Sequence, residues 1–156
     1  MTPTLRRWFA SAGALRRVLT LYPPYLGAGI KVTHIAENYG AATVQMRQHW
    51  YNRNYVGTHF GGSLYSMVDP MYMLLLMRRL GKDYVVWDKS AHIEFLQPGR
   101  GTVTAHFELT DERLEEIRQA TADGEKHLPT WNVDIIGEDG HVVARVHKVL
   151  YVRKKR

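Results

Sequence analysis

The chain contains no cysteine. That excludes a disulfide framework, a thiolate nucleophile and a thiolate zinc site. It also fits a reducing compartment, so a cytoplasmic location is the expectation. No apolar run approaches the ~20 residues needed to span a bilayer, and no secretory leader pattern is visible. Acidic residues are missing from the first 36 positions, where Arg6, Arg7, Arg16, Arg17 and Lys31 stand alone. No basic patch with interleaved aromatics marks a binder of single-stranded nucleic acid within the remainder.

What is present is the composition of one globular domain. The 156 residues are 45% hydrophobic and 23% charged, which rules out wholesale disorder. The formal net charge of +6 favours anionic partners in general. Most of it belongs to the two ends, the N-terminal arginines and the Arg153-Lys154-Lys155-Arg156 tail. Leu5, Trp8, Phe9, Ala12, Leu15, Leu19 and Tyr22 recur at helical spacing ahead of Pro23-Pro24. Three readings of this basic amphipathic helix stand open: membrane-surface attachment, a transit peptide, or a terminal helix lying on the domain with its arginines in water. The last is the plainest. The organisation expected is a helix and linker over 1–26, a domain over 27–152 and a solvated, frayed basic tail over 153–156.

The periodicity then changes repeatedly. Gly27-Ala28-Gly29 reads as a loop. Ile30, Val32, His34 and Ala36 alternate with Lys31, Thr33, Ile35 and Glu37, Asn38-Tyr39-Gly40 is a turn, and Ala42, Val44 and Met46 alternate again, which makes a hairpin. From about Gly61 to Leu80 the pattern is helical and apolar nearly all round, so the helix should be buried, with Gly81 as its stop. Pro70 should kink or break it. Strands follow at 84–96 and 102–109, a short surface helix at 111–122 with Leu114 and Ile117 inward, and two final strands joined by Glu138-Asp139-Gly140. The class is α+β: a mostly antiparallel sheet curling round one long helix.

Chemistry concentrates at that helix. From Phe60 to Met77 the only charged residue is Asp69, and a carboxylate among apolar neighbours must be paired, hydrogen-bonded or open to a cavity. Ahead of it runs Asn54-Tyr55-Val56-Gly57-Thr58-His59-Phe60-Gly61-Gly62. Glycines at a helix start expose backbone N–H groups that can hold a polarised carbonyl oxygen. The same glycines also serve for tight packing of helix on sheet. Asp69 lies two turns beyond Gly62, so both can face one groove. The eight histidines show no convincing metal spacing. Trp50, Tyr51, Tyr55, Tyr65 and Tyr72 suit an acyl pocket or simply the core.

The Asn54, Gly57, Gly61-Gly62 and Asp69 spacing, with the turn Phe95-Leu96-Gln97-Pro98-Gly99-Arg100-Gly101, resembles the hotdog-fold thioesterases, notably those of the phenylacetate-degradation type. The Gly-Thr-His-Phe-Gly-Gly approach to the helix is similar to a group of uncharacterised bacterial hotdog proteins. The resemblance implies a hotdog fold and hydrolysis of an acyl thioester of coenzyme A as substrate, with no separate cofactor. It implies that Asp69 is the general base or nucleophile, that the Gly62 amide with Gly61 holds the thioester oxygen, and that Asn54 positions the water or the thioester. It further implies a homodimer or homotetramer with sites between subunits. The pattern departs at Phe60, where the family has His, and His59 stands one residue early, ~100° round a helix axis. That departure keeps a non-catalytic acyl-thioester-binding protein as the alternative. Arg53, Lys89 and Arg100 are the candidates to meet the coenzyme phosphates; from the residues alone each is also an ordinary surface charge.

Overall fold

One antiparallel sheet of seven strands holds the molecule together, in the order β1-β2-β4-β6-β7-β3 with short β5 also paired to β7. The computed structural model describes residues 11–155. Its elements are α1 (Ala12–Thr20), α2 (Pro23–Ala28), β1 (Ile30–Ile35), β2 (Ala41–Arg47), α3 (Gly61–Val68), α4 (Met71–Leu80), β3 (Tyr84–Phe95), β4 (Thr102–Glu108), α5 (Asp111–Ala120), β5 (Lys126–His127), β6 (Thr130–Gly137) and β7 (Val142–Lys154). This is the hotdog arrangement, a curved sheet round a central helical segment.

Strand alternation builds the inner wall. Ala42, Val44 and Met46 of β2, Val103, Ala105 and Phe107 of β4, Val133 and Ile135 of β6, and Val146, Leu150 and Val152 of β7 are buried. The central segment supplies the filling through Leu64, Met67, Val68, Met71, Leu75 and Leu76. The expected break is real. Asp69 and Pro70 separate α3 from α4, because Pro70 has no N–H to return to the carbonyl four residues earlier. Gly81 ends α4 at φ 81°, a conformation that favours glycine.

Four expectations need correction. Gly27 and Ala28, expected in a loop, instead close a short helix over Pro23–Ala28, since two prolines pre-set its first turn. A bulge between Val32 and His34 shifts the phase of β1, so Ile35 is buried while His34 is exposed. Residues 126–127 add a two-residue strand. The basic tail is not frayed: Arg153 and Lys154 pair with Val85 and Tyr84, and the Lys155 amide donates to the Asp83 carbonyl. Their backbone is bound while their side chains stay exposed, the Lys155 ammonium also donating to the Lys82 carbonyl.

Of the N-terminal stripe, Ala12, Leu15 and Leu19 are buried, whereas Arg17 is exposed. That is the geometry of a terminal helix laid on the domain. Leu5, Arg6, Arg7, Trp8 and Phe9, and Arg156 at the other end, lie outside the described residues. Among the described residues no helix is long and apolar enough to cross a membrane.

Candidate active site

The loop before α3 is built from its own asparagines. Asn52 is buried, donating to the Ala28 and Arg47 carbonyls at 3.0 and 2.8 Å and accepting from the His49 amide at 2.7 Å. Asn54 accepts from the Val56 and Thr58 amides at 3.1 and 3.0 Å and donates to Thr58 Oγ1 and the His59 carbonyl at 2.8 and 3.2 Å. Both ends of the Asn54 amide are therefore engaged in shaping residues 54–59. His59 is buried and its Nε2 lies 3.0 Å from the Gly101 carbonyl. Burial holds its pKa below the usual histidine value, so the ring is neutral and Nε2–H donates. It braces the loop against the 99–101 turn.

This scaffold presents the start of α3. The amides of Gly61 and Gly62 have no partner among the described residues, as first-turn donors do not. Two half-exposed aromatic rings stand against them. A Cβ on Gly61 would lie 2.8 Å from the Phe95 ring, and one on Gly62 would lie 2.6 Å from the Phe60 ring. Clefts open on either side. One of about 490 Å³ is lined by Asn54, Val56, His59, Gly61, Leu64 and Phe95, among others. The other, of about 470 Å³, is lined by Tyr51, Arg53, Phe60, Gly62, Ser63 and Ser66, among others.

Asp69 lines neither cleft. Seven residues of helix separate it from Gly62, about 10 Å along the axis. A carboxylate and an amide that far apart in one chain cannot touch the same small group.

Around Asp69 the helix break creates a second polar centre. Tyr65 donates to Asp69 Oδ1 at 2.8 Å. Lys148 of β7, with no exposed side-chain surface, places Nζ 3.4 Å from the same oxygen and 3.0 Å from the Asp69 carbonyl. The same ammonium is 2.9 Å from Asp88 Oδ1 on β3. Burial, and then its bond to Asp69, push the Tyr65 phenol up, so it stays protonated and donates. Burial pushes the Asp88 carboxyl up, and Lys148 pulls the other way. The Asp69 side chain is about half exposed, and Oδ2 has no partner among the described residues.

No motif marks Lys148 and Asp88 as site residues. The signal for Lys148 was its phase: it occupies the inward register of Val146, Leu150 and Val152, where a bare ammonium is costly. Asp88 likewise shares the phase of buried Val86. Of the proposed phosphate contacts, Arg53 lines the cleft at Gly62, Arg100 donates to the Gly57 carbonyl at 3.1 Å, and Lys89 is exposed at the bulge of β3. Arg53 and Arg100 line different clefts. Trp50, Tyr51 and Tyr55 are exposed, Tyr72 is core, and Tyr65 stands at the second centre. Among the described residues, no group of three or more side chains is placed to hold a metal ion.

Solved structures share this architecture. A Pseudomonas aeruginosa protein of unknown function, PA5026, described as a probable thioesterase, superposes with TM-score 0.78 at 18% identity, covering 91% of this chain and 95% of its own. The thioesterase HI1161 of Haemophilus influenzae gives 0.67 at 17% identity over 92% and 91%. A mutant form of the phenylacetic acid degradation protein PaaI from Thermus thermophilus gives 0.58 at 23% identity over 83% and 97%. Identities this low establish the shared fold and nothing finer. No curated protein matches the chain. A family pattern fits residues 11–152, which takes in both polar centres and every element from α1 to most of β7: the chain belongs to the family described as Domain of unknown function (DUF4442).

Proposed function

We propose that the protein hydrolyses an acyl thioester, with an acyl-CoA as the substrate class. The observation that carries the reading is Asp69, half exposed at a helix break with one carboxylate oxygen unpartnered among the described residues. In this reaction Asp69 takes a proton from water as the water attacks the thioester carbonyl. The carbonyl π electrons move to oxygen, and free amides of the Gly61-Gly62 type receive that oxyanion. The intermediate collapses with loss of the thiolate, which takes up the proton to leave as free thiol with the carboxylic acid. Asn54 shapes the loop that presents those amides, with His59 as its brace. Of Arg53, Lys89 and Arg100, it is Arg53 that shares a cleft with Gly62 and so is placed to meet a coenzyme phosphate there.

The ~10 Å between Asp69 and Gly62 favours a site assembled from two copies, one giving the carboxylate and the other the amides. The edge of β3 supports the same assembly. It is the last strand of the sheet, twelve residues long, with Ala91, Phe95 and neighbouring Leu96 exposed, and such an edge is a template for a second strand. The cysteine-free composition is compatible with action in the cytoplasm.

The test is thiol release from short, long and aryl acyl-CoAs by wild type and Asp69→Asn. Release by the wild type that falls at least ~10³-fold in the variant is the expected result. The alternative, a binder without turnover, is favoured by Phe60, whose ring occupies the neighbourhood of Gly62 where the resembled family has His. No release from any substrate, with acyl-CoA still raising the melting temperature, would establish it.

A further inference from the structure

We propose that Lys148 is the positioning residue of Asp69, acting from beneath the helix break to leave Oδ2 as the working oxygen. The assignment rests on the hydrolase reading above.

Pro70 interrupts the helical ladder, although the Asp69 amide still donates to the Tyr65 carbonyl at 3.1 Å. Asp69 is further tied at two points by one side chain. Lys148 Nζ approaches the Asp69 carbonyl at 3.0 Å and Oδ1 of the same residue at 3.4 Å. Tyr65 approaches Oδ1 at 2.8 Å from the preceding turn. Both donors meet the same oxygen, so the carboxylate has one fixed end and one open end.

Lys148 is itself held. Its side chain has no solvent exposure, its ammonium pairs with Asp88 at 2.9 Å, and it lies 5.4 Å over the Tyr65 ring. An ammonium so placed has no route to solvent or substrate. It therefore touches no reacting atom and acts only through Asp69. Asp88 anchors the lysine from β3, across the sheet register that sets Ala91 opposite Lys148. In this arrangement three elements, the helix break, β3 and β7, converge to set one carboxylate. A misplacement of about 1 Å at such a group costs on the order of 10²-fold in rate.

Lys148→Met alone leaves Asp88 half-buried without its cation, and that variant is at risk of unfolding. The informative variant is the double Lys148→Met/Asp88→Asn, which removes both charges. With an acyl-CoA that the wild type hydrolyses, the double variant should keep its fold and a KM within about threefold, while kcat falls about 100-fold. A kcat at the wild-type level in the folded double variant overturns the proposal. If the wild type releases no thiol from any acyl-CoA, the hydrolase reading fails. The positioning is then decided by crystal structures of wild type and double variant. Asp69 leaving its rotamer in the variant supports it, and Asp69 unmoved overturns it.

Discussion

Arg145, His147 and Lys148 of β7 lie within four positions, and the two faces of the strand treat them oppositely. On the outer face, Arg145 grips Asp134 through two bonds of 2.6 and 2.7 Å, and His147 lies between Asn132 and Glu94. These groups are a third to a half exposed. On the inner face Lys148 is wholly buried between Asp69 and Asp88. The outer Arg145–Asp134 pair has the shortest contacts of the set, yet water can replace each outer partner. The inner lysine has only protein partners. Exposed ion pairs contribute little because solvent screens them, whereas breaking a buried pair leaves a charge with nothing to answer it. Proximity in sequence and quality of geometry therefore say less about consequence than which way the pleat points.

The sharpest way to break that contrast is Lys148→Met at neutral pH. About 3 kcal/mol should be lost, a fall of roughly 10 °C in melting temperature for a chain of this size, followed by calorimetry. The loss should shrink on acidification. Asp88 already has its carboxyl pushed up by burial, and without Lys148 that push is unopposed. A raised carboxyl favours the folded state while protonated, and the benefit disappears as pH rises through the folded value. The variant should therefore lie closest to wild type in acid and furthest from it at neutral pH. A gap independent of pH would mean that Lys148 contributes packing alone.

A smaller effect should separate the two roles of the helix-start glycines. Gly62→Ala brings a Cβ against the Phe60 ring and nothing else within 3.2 Å. Phe60 is about half exposed, so its ring can swing away and the melting temperature should hold within a few degrees. Turnover should still fall by about 10- to 100-fold, because the methyl group crowds the amide that receives the oxyanion. Loss of stability without loss of turnover would return these glycines to a packing role.

The smallest effect belongs to the outer face. Arg145→Gln should barely move the melting temperature, and what shift there is should vanish in concentrated salt. The Arg145 guanidinium holds the Asp134 carboxyl below the ordinary aspartate value. By the same linkage its contribution is present above the unfolded value and is lost as pH falls through the lowered one. A loss rivalling that of Lys148→Met would abolish the distinction between the faces.

Much of the architecture was legible in the chain. Alternation in 42–46, 103–109 and 131–135 located the strands, and the apolar helix with Pro70 located the break, because these signals are local. Asp69 and Gly61-Gly62 were legible for the same reason, as an isolated charge and a double glycine in an apolar segment. The bulge in β1, the helical turn at 23–28 and the pairing of the basic tail were not. The first depends on a partner strand's register, the second on prolines that serve equally to start a helix or a loop, and the third on β3 lying alongside. Asp69 and Gly62 stand two helical turns apart, as the spacing requires, and neither of the two clefts at the helix start is lined by Asp69.

By itself the sequence determined an α+β class and an apolar helical segment that carries a carboxylate, since periodicity and isolated charge need only neighbours along the chain. Tertiary structure decided what surrounds that carboxylate. Lys148 lies 79 positions from Asp69 and meets it through an ion pair that also takes in Asp88. No spacing rule connects residues on a helix break and two strands. They meet because burying the inward faces of β3 and β7 under the helix carries their polar members in together, where only one another's charges can satisfy them.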